Sequence, residues 1–182
     1  MIATMNKVDT IRAVTMDGLK LWGAAIELQD DRDVVLAAVK NNDYALKYAS
    51  SRLRGDRDLV LHAISCGGDD GLYALKFASD ELKDDNEVVL AAVLQDGCAL
   101  RFASPMLRAN KKIVLAAVKQ DGMALEFASE EFKIDDEIVL AAVKQCGRAL
   151  QFASEKFRAD YQIVCAAVDQ DWKAMQYELW KF

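Results

Sequence analysis

The stretch IVLAAVK occupies residues 113–119 and returns at 138–144, with VVLAAVK at 34–40 and VVLAAVL at 88–94. Self-similarity at a fixed interval is the signature of a stacked repeat architecture, and it sets the fold before any propensity is consulted. With the central residue as anchor, the copies fall at Ile11, Leu36, Leu61, Leu90, Leu115, Leu140 and Cys165, 25 residues apart except for 29 between Leu61 and Leu90. A second block follows: YALKYAS, YALKFAS, CALRFAS, MALEFAS and RALQFAS, starting at Tyr44, Tyr73, Cys98, Met123 and Arg148. It degrades to LKLWGAA from Leu19 and KAMQYEL from Lys173, as the end copies of a stacked array commonly do.

Each copy reads as two short helices. Five residues before each anchor stands Asn6, Asp31, Asp56, Asp85, Asn110, Asp135 or Asp160, a side chain able to cap the free N–H groups of a helix start. The first helix is expected to stop at Asp17-Gly18, Asp96-Gly97, Asp121-Gly122 and at Gly147, where glycine takes a left-handed conformation. Six consecutive apolar residues, Ile138 to Val143, run right round its surface, so it is expected to be buried on every side. The second helix is one-sided: Ala124, Leu125, Phe127 and Ala128 mark its inner face, while Met123 and Glu126 share the outer one. A break or restart is expected at the serine that ends the block, since Pro105 follows Ser104 there. Leu53, Leu82, Leu107, Phe132, Phe157 and Phe182 then close successive copies, and the array reads as complete.

One proline and nine glycines in 182 residues supply too few turn signals for an all-β chain. The expected fold is all-α: an α-solenoid of seven two-helix repeats with a period of about 25 residues, one domain over 1–182. Its repeats lie at about 6–30, 31–55, 56–84 with a four-residue insertion, 85–109, 110–134, 135–159 and 160–182.

The combined pattern, an Asp cap, then VVLAAVKQDG, then ALxFASxxLK with a closing acid, resembles the helical repeat family called domain of unknown function 4116, from about Asn6 to Phe182. The resemblance implies a helical repeat of bacterial proteins, secreted effectors of intracellular pathogens among them, and of large-virus and protist proteins. It brings no catalytic residues.

Charge and composition exclude several functions. A net charge of −6 argues against a general binder of phosphate backbones, which carries a basic excess. No apolar run approaches the roughly 18 residues of a membrane span. The start, MIATMNKVDT, lacks the basic and apolar regions of a secretory signal. A cytoplasmic location is expected, or, by the resemblance, delivery into a host cytosol. Cys66, Cys98, Cys146 and Cys165 show no paired spacing and read as thiols.

His62 is the single histidine, with Cys66 four residues on along the same helix face. Two ligands make no metal site, and no metal, cofactor or catalytic set is expected. The insertion, in the stretch Ser65 to Gly71, lacks the lysine of a P-loop and the ligand spacing of an EF-hand. It reads either as a tolerated insertion or as a recognition loop offering Asp69 and Asp70. Residues 56–84 hold seven acids against three bases, whereas residues 31–55 hold three against five, an asymmetry able to orient a partner.

Comparison among the copies separates recurring positions from drifting ones. The drifting pair on the second helix is Tyr44 and Lys47, Tyr73 and Lys76, Cys98 and Arg101, Met123 and Glu126, Arg148 and Gln151. Stacked, it forms a ribbon that reads equally as a solvated face or as a binding surface. The candidate partner-binding residues are Tyr44, Lys47, Tyr73, Lys76, Arg101, Arg148, Asp69 and Asp70. The leading expectation is a non-enzymatic scaffold binding a protein partner, as an effector or inhibitor would. The alternative is an acidic nucleic-acid mimic, with direct nucleic-acid binding and an enzyme built on His62 and Asp69 behind it.

Overall fold

The computed structural model describes residues 5–66 and 72–177, and every regular element among them is helical. Asp69, Asp70 and Phe182 therefore lie outside the described residues. Each repeat opens with an α-helix of ten residues: Lys7–Met16, Arg32–Asn41, Arg57–Cys66, Asn86–Gln95, Lys111–Gln120, Asp136–Gln145 and Tyr161–Gln170. The expected caps are in place. Asn6, Asp31, Asp56, Asp85, Asn110, Asp135 and Asp160 each accept a hydrogen bond from a backbone N–H two or three residues on. Such a cap contributes about 1 kcal/mol per helix.

The second helix divides further than a two-helix repeat suggests. Its first half is a six-residue 3-10 helix in most copies, as in Asp43–Tyr48, Gly97–Phe102, Gly122–Phe127 and Gly147–Phe152, whereas Leu72–Phe77 in repeat three is α-helical. The expected restart at the serine follows as a single turn, Ser51–Arg54, Asp80–Lys83, Pro105–Arg108 or Glu155–Arg158. The Ser50 and Ser104 hydroxyls accept from the Leu53 and Leu107 N–H groups, and Pro105 stands at the first helical position. Leu53, Leu82, Leu107, Phe132 and Phe157 are buried, as their recurrence predicts.

The glycines do not end the first helix. Asp17, Asp96, Asp121 and Cys146 do so in an extended conformation, and none of Gly18, Gly97, Gly122 and Gly147 has a left-handed φ. Each glycine instead begins the 3-10 helix and faces the first helix of the next repeat. A Cβ on Gly18, Gly97, Gly122 or Gly147 would lie within 3.0 Å of the carbonyl oxygen of Ala38, Ala117, Ala142 or Ala167 respectively. Close approach, not backbone freedom, is what requires glycine there. The glycine N–H is also held from that next repeat: Asn41, Gln120, Gln145 and Gln170 accept from Gly18, Gly97, Gly122 and Gly147 at 2.5–2.7 Å.

By its contacts the chain forms two compact units, Met1–Gln95 and Asp96–Phe182. In the first, the helix Arg32–Asn41 packs on Lys7–Met16, on Arg57–Cys66 and on the 3-10 helices Gly18–Gly23 and Asp43–Tyr48. In the second, Asp136–Gln145 packs in the same way on Lys111–Gln120, Tyr161–Gln170, Gly122–Phe127 and Gly147–Phe152. An ion-pair ladder runs along the helix starts. Lys7 meets Asp31 and Asp33 at 2.8 and 2.7 Å, Arg32 meets Asp56 at 3.0 Å, and Arg57 meets Asp85 at 3.1 Å and also Glu87. In the second unit Lys111 meets Asp135 and Glu137 at 2.9 and 3.0 Å. Serine N–H groups add backbone bonds between repeats, Ser50 to Gln29 O, Ser79 to Arg54 O, Ser129 to Arg108 O and Ser154 to Lys133 O.

The first helix is not buried all round. Val34, Val35, Ala38 and Val39 are fully covered, yet Leu36 and Ala37, Leu90 and Ala91, Leu115 and Ala116, Leu140 and Ala141 are only half-buried. Neighbouring first helices cover two sides and the second layer covers a third. Among the described residues none covers the fourth, which leaves these leucines and alanines partly accessible.

The caps make stability depend on acid. Hydrogen bonds from the Val88 N–H and then Arg57 hold Asp85 below the usual carboxylate range, and Lys111 followed by the Ile138 N–H does the same for Asp135, burial opposing both. A carboxylate with a depressed folded pKa stabilises fully above its unfolded value of about 3.9 and loses that contribution as pH falls through the folded value. Asp85→Asn with Asp135→Asn keeps a capping side chain, as Asn110 demonstrates, but removes the charge. The melting temperature of the parent chain should therefore fall more steeply between about pH 5 and pH 2 than that of the double variant, followed by circular dichroism.

Candidate partner-binding surface

In the first compact unit the ribbon is built from rings. The Asn42 side chain fixes the Tyr44 N–H at 2.9 Å, starting Asp43–Tyr48 and aiming the Tyr44 ring toward repeat three. There it stands edge-on to Tyr73 at 5.1 Å and to Phe77 at 5.0 Å, while Tyr73 and Phe77 lie nearly parallel, 6.4 Å apart. Tyr48 adds a further edge contact at 6.4 Å. Pairs of this kind contribute about 0.5–1.5 kcal/mol beyond the area they bury. Tyr44 and Tyr73 thus join two repeats as well as facing outward.

Two lysines sit on this cluster. The Lys47 ammonium is 5.3 Å from the Tyr44 ring and 5.6 Å from the Tyr48 ring, and donates to the Tyr44 hydroxyl at 3.3 Å. Lys76 lies 5.7 Å from the Tyr73 ring and 5.3 Å from the Phe77 ring. Rings and cations therefore stand together in this half of the ribbon. Two residues absent from it belong to the same surface: Trp22, 69% exposed, and Leu19, 37% exposed, occupy in repeat one the positions of Lys47 and Tyr44. The signal was the register of LKLWGAA against YALKYAS, hidden because that copy departs from the consensus.

In the second compact unit the first ribbon position reaches the next repeat and is engaged there. Arg148 pairs with Asp171 at 2.9 Å, and the Cys98 thiol donates to the Asp121 carboxylate at 3.2 Å. The Arg101 guanidinium lies over the ring of its neighbour Phe102, 4.6 Å from the ring centre. Arg148 is thereby a contact between repeats, and its half-buried fellow Gln151 donates to the Arg148 carbonyl at 3.1 Å.

Candidate metal ligands also have structural partners. Atoms of Asp96, Cys98 and Asp121 all lie within 4.8 Å of one another. Asp96 and Asp121 accept from the Cys98 and Met123 N–H groups as caps of their 3-10 helices. Burial, then the Asp121 hydrogen bond, pushes the Cys98 thiol up to about 12, so it is protonated at neutral pH. On the open side of Arg57–Cys66, the Cys66 sulfur is 3.5 Å from His62 Nε2, the two-residue edge expected from their spacing.

The family model described as domain of unknown function (DUF4116) matches five times, at residues 11–54, 31–70, 56–108, 110–158 and 135–177. The chain belongs to this family. No curated protein and no solved structure matches it. Among the described residues, no helix is long and apolar enough to cross a membrane.

Thiol chemistry separates the two cysteine environments. With an aromatic disulfide reagent at about pH 8, exposed Cys66 should react in the native state, whereas Cys98 should react only once denaturant is added. Native labelling of Cys98 at the rate of Cys66 would remove the Asp121 contact from the account.

Proposed function

We propose that the chain is a non-enzymatic repeat scaffold that binds a protein partner through the second-helix layer of its first compact unit, blocking or redirecting that partner as an effector or inhibitor does. The observation that carries this reading is the pairing of exposed Trp22 with the ring-mounted Lys47 at one repeat position. Tryptophan, tyrosine and cations on rigid aromatic supports are the side chains that dominate interface energies. Lys47 meets no carboxylate among the described residues, whereas Lys7, Arg32, Arg57, Lys111 and Arg148 are engaged within the array. The setting of the reading is the cytosol of the producing cell or of a host cell.

Nucleic-acid mimicry has weaker support, because Asp31, Asp56, Asp85, Asp135 and Asp171 point into pairs with bases of the same chain instead of forming an unbroken phosphate-like track. For an enzyme, the single imidazole has a thiol beside it and no orienting carboxylate among the described residues.

The test is quantitative affinity capture with the parent chain and with Trp22→Ala combined with Lys47→Glu and Lys76→Glu, in about 0.15 M and about 1 M salt. A protein retained by the parent chain in high salt and depleted at least tenfold on the variant is the expected result. Equal retention by both chains contradicts this surface, and a nucleic-acid enzyme released by salt favours mimicry.

A further inference from the structure

The open side of the first-helix layer carries a second feature, recurring in both compact units. Between the first helices of repeats one and two lies a groove of about 440 Å³ lined by Thr15, Asp33, Leu36, Ala37, Lys40 and Asn41. Between those of repeats five and six lies one of about 420 Å³, lined by Lys119, Glu137, Leu140, Ala141, Lys144 and Gln145. Position for position they are the same groove. The floor is the half-buried leucine and the alanine after it, which the fold leaves facing water.

Their charges are asymmetric. Asp33 lies 2.7 Å from Lys7, which also serves Asp31, and Glu137 lies 3.0 Å from Lys111, which also serves Asp135, so each of these lysines is shared between two carboxylates. Lys40, Lys119 and Lys144, all exposed at the last turn of their helices, meet no carboxylate among the described residues. The groove of repeats five and six, with Lys119 and Lys144 against Glu137, therefore offers an apolar floor under a rim with an excess of positive charge, on a chain whose net charge is −6, whereas Lys40 and Asp33 balance in the other.

We propose that the groove of repeats five and six is a docking surface for an acidic, leucine-rich segment of a partner protein. Aliphatic side chains of the segment cover the Leu140 and Ala141 floor, and its carboxylates meet Lys119 and Lys144. Those two lysines belong to adjacent helices, which pack about 8–10 Å apart. Carboxylates about 10 Å apart suit them, a spacing given by positions seven apart on a helix. Groove one shares the leucine and alanine floor, Leu36 and Ala37, but sets a single rim lysine, Lys40, beside Asp33. This surface is distinct from the ring cluster of the second-helix layer, so either can fail alone.

The experiment measures fluorescence anisotropy of the intact chain with a fluorescein-labelled synthetic peptide. Its leucines stand at helical spacing with glutamates between them. Two controls replace the glutamates by lysines or the leucines by serines. Saturable binding of the Leu/Glu peptide alone is expected, weakened at least tenfold by Lys119→Glu with Lys144→Glu, and unchanged by Lys47→Glu with Lys76→Glu. Lys119→Gln with Lys144→Gln serves if the charge reversal impairs folding by circular dichroism. No saturable binding up to about 1 mM, equal binding of the Leu/Lys peptide, tighter binding of a labelled oligonucleotide, or loss only in the Lys47 variant would each overturn the proposal.

Discussion

The contact on which the array depends is the approach of one glycine to one carbonyl. Gly97, Gly122 and Gly147 in the second compact unit, and Gly18 in the first, stand so close to the next repeat's alanine carbonyl that no β-carbon fits between. That proximity sets the separation of successive repeats, and the other bonds between them work at that separation. The glutamine or asparagine at the end of each following helix reaches back to the same glycine N–H, and Gln145 and Gln170 also donate to the Gln120 and Gln145 carbonyls, tying neighbouring helix ends. One end of the helix is held by amides and the other by the ion-pair ladder. Repeats two and three depart from this pattern: Asp43, 5% exposed, and Leu72 stand at the glycine position, and the Tyr44 ring meets the Tyr73 and Phe77 rings of repeat three.

This economy of polar groups shapes the surfaces. Many carboxylates cap helices or accept from the base one repeat earlier, so an acidic chain does not present a uniformly acidic face. Lys47 and Lys76 lie on rings in the second-helix layer, and Lys40, Lys119 and Lys144 rim the open grooves of the first. Surface electrostatics follow from which positions the stacking leaves over.

The repeat period, the caps and the closing apolar residues were legible in the sequence because stacking imposes the same demand on every copy. Asp135 and Phe157 recur for one reason each, and recurrence exposes it. What was not legible turns on geometry between copies. Gly122 reads as a helix stop when only its own helix is considered, and its real constraint is an atom of Ala142. Leu140 and Ala141 look buried on a helical wheel, because a wheel does not reveal that neighbours cover three sides only. Arg148 drifts from copy to copy yet is engaged by Asp171, since salt bridge, thiol and ring contacts all satisfy that position. Trp22 was obscured by the imperfect match of the first copy.

The most direct test of the central contact compares two glycines of one chain. A β-carbon at Gly55 would meet nothing nearer than 3.5 Å, while one at Gly122 would press on the Ala142 carbonyl and lie 3.0 Å from Cys146. Denaturant midpoints of Gly55→Ala and Gly122→Ala should therefore diverge. Gly122→Ala is predicted to lose about 1–3 kcal/mol to overpacking, and Gly55→Ala to stay within about 0.5 kcal/mol of the parent or gain slightly from a less flexible unfolded chain. Equal midpoints for the two variants would contradict the account of how the repeats are held.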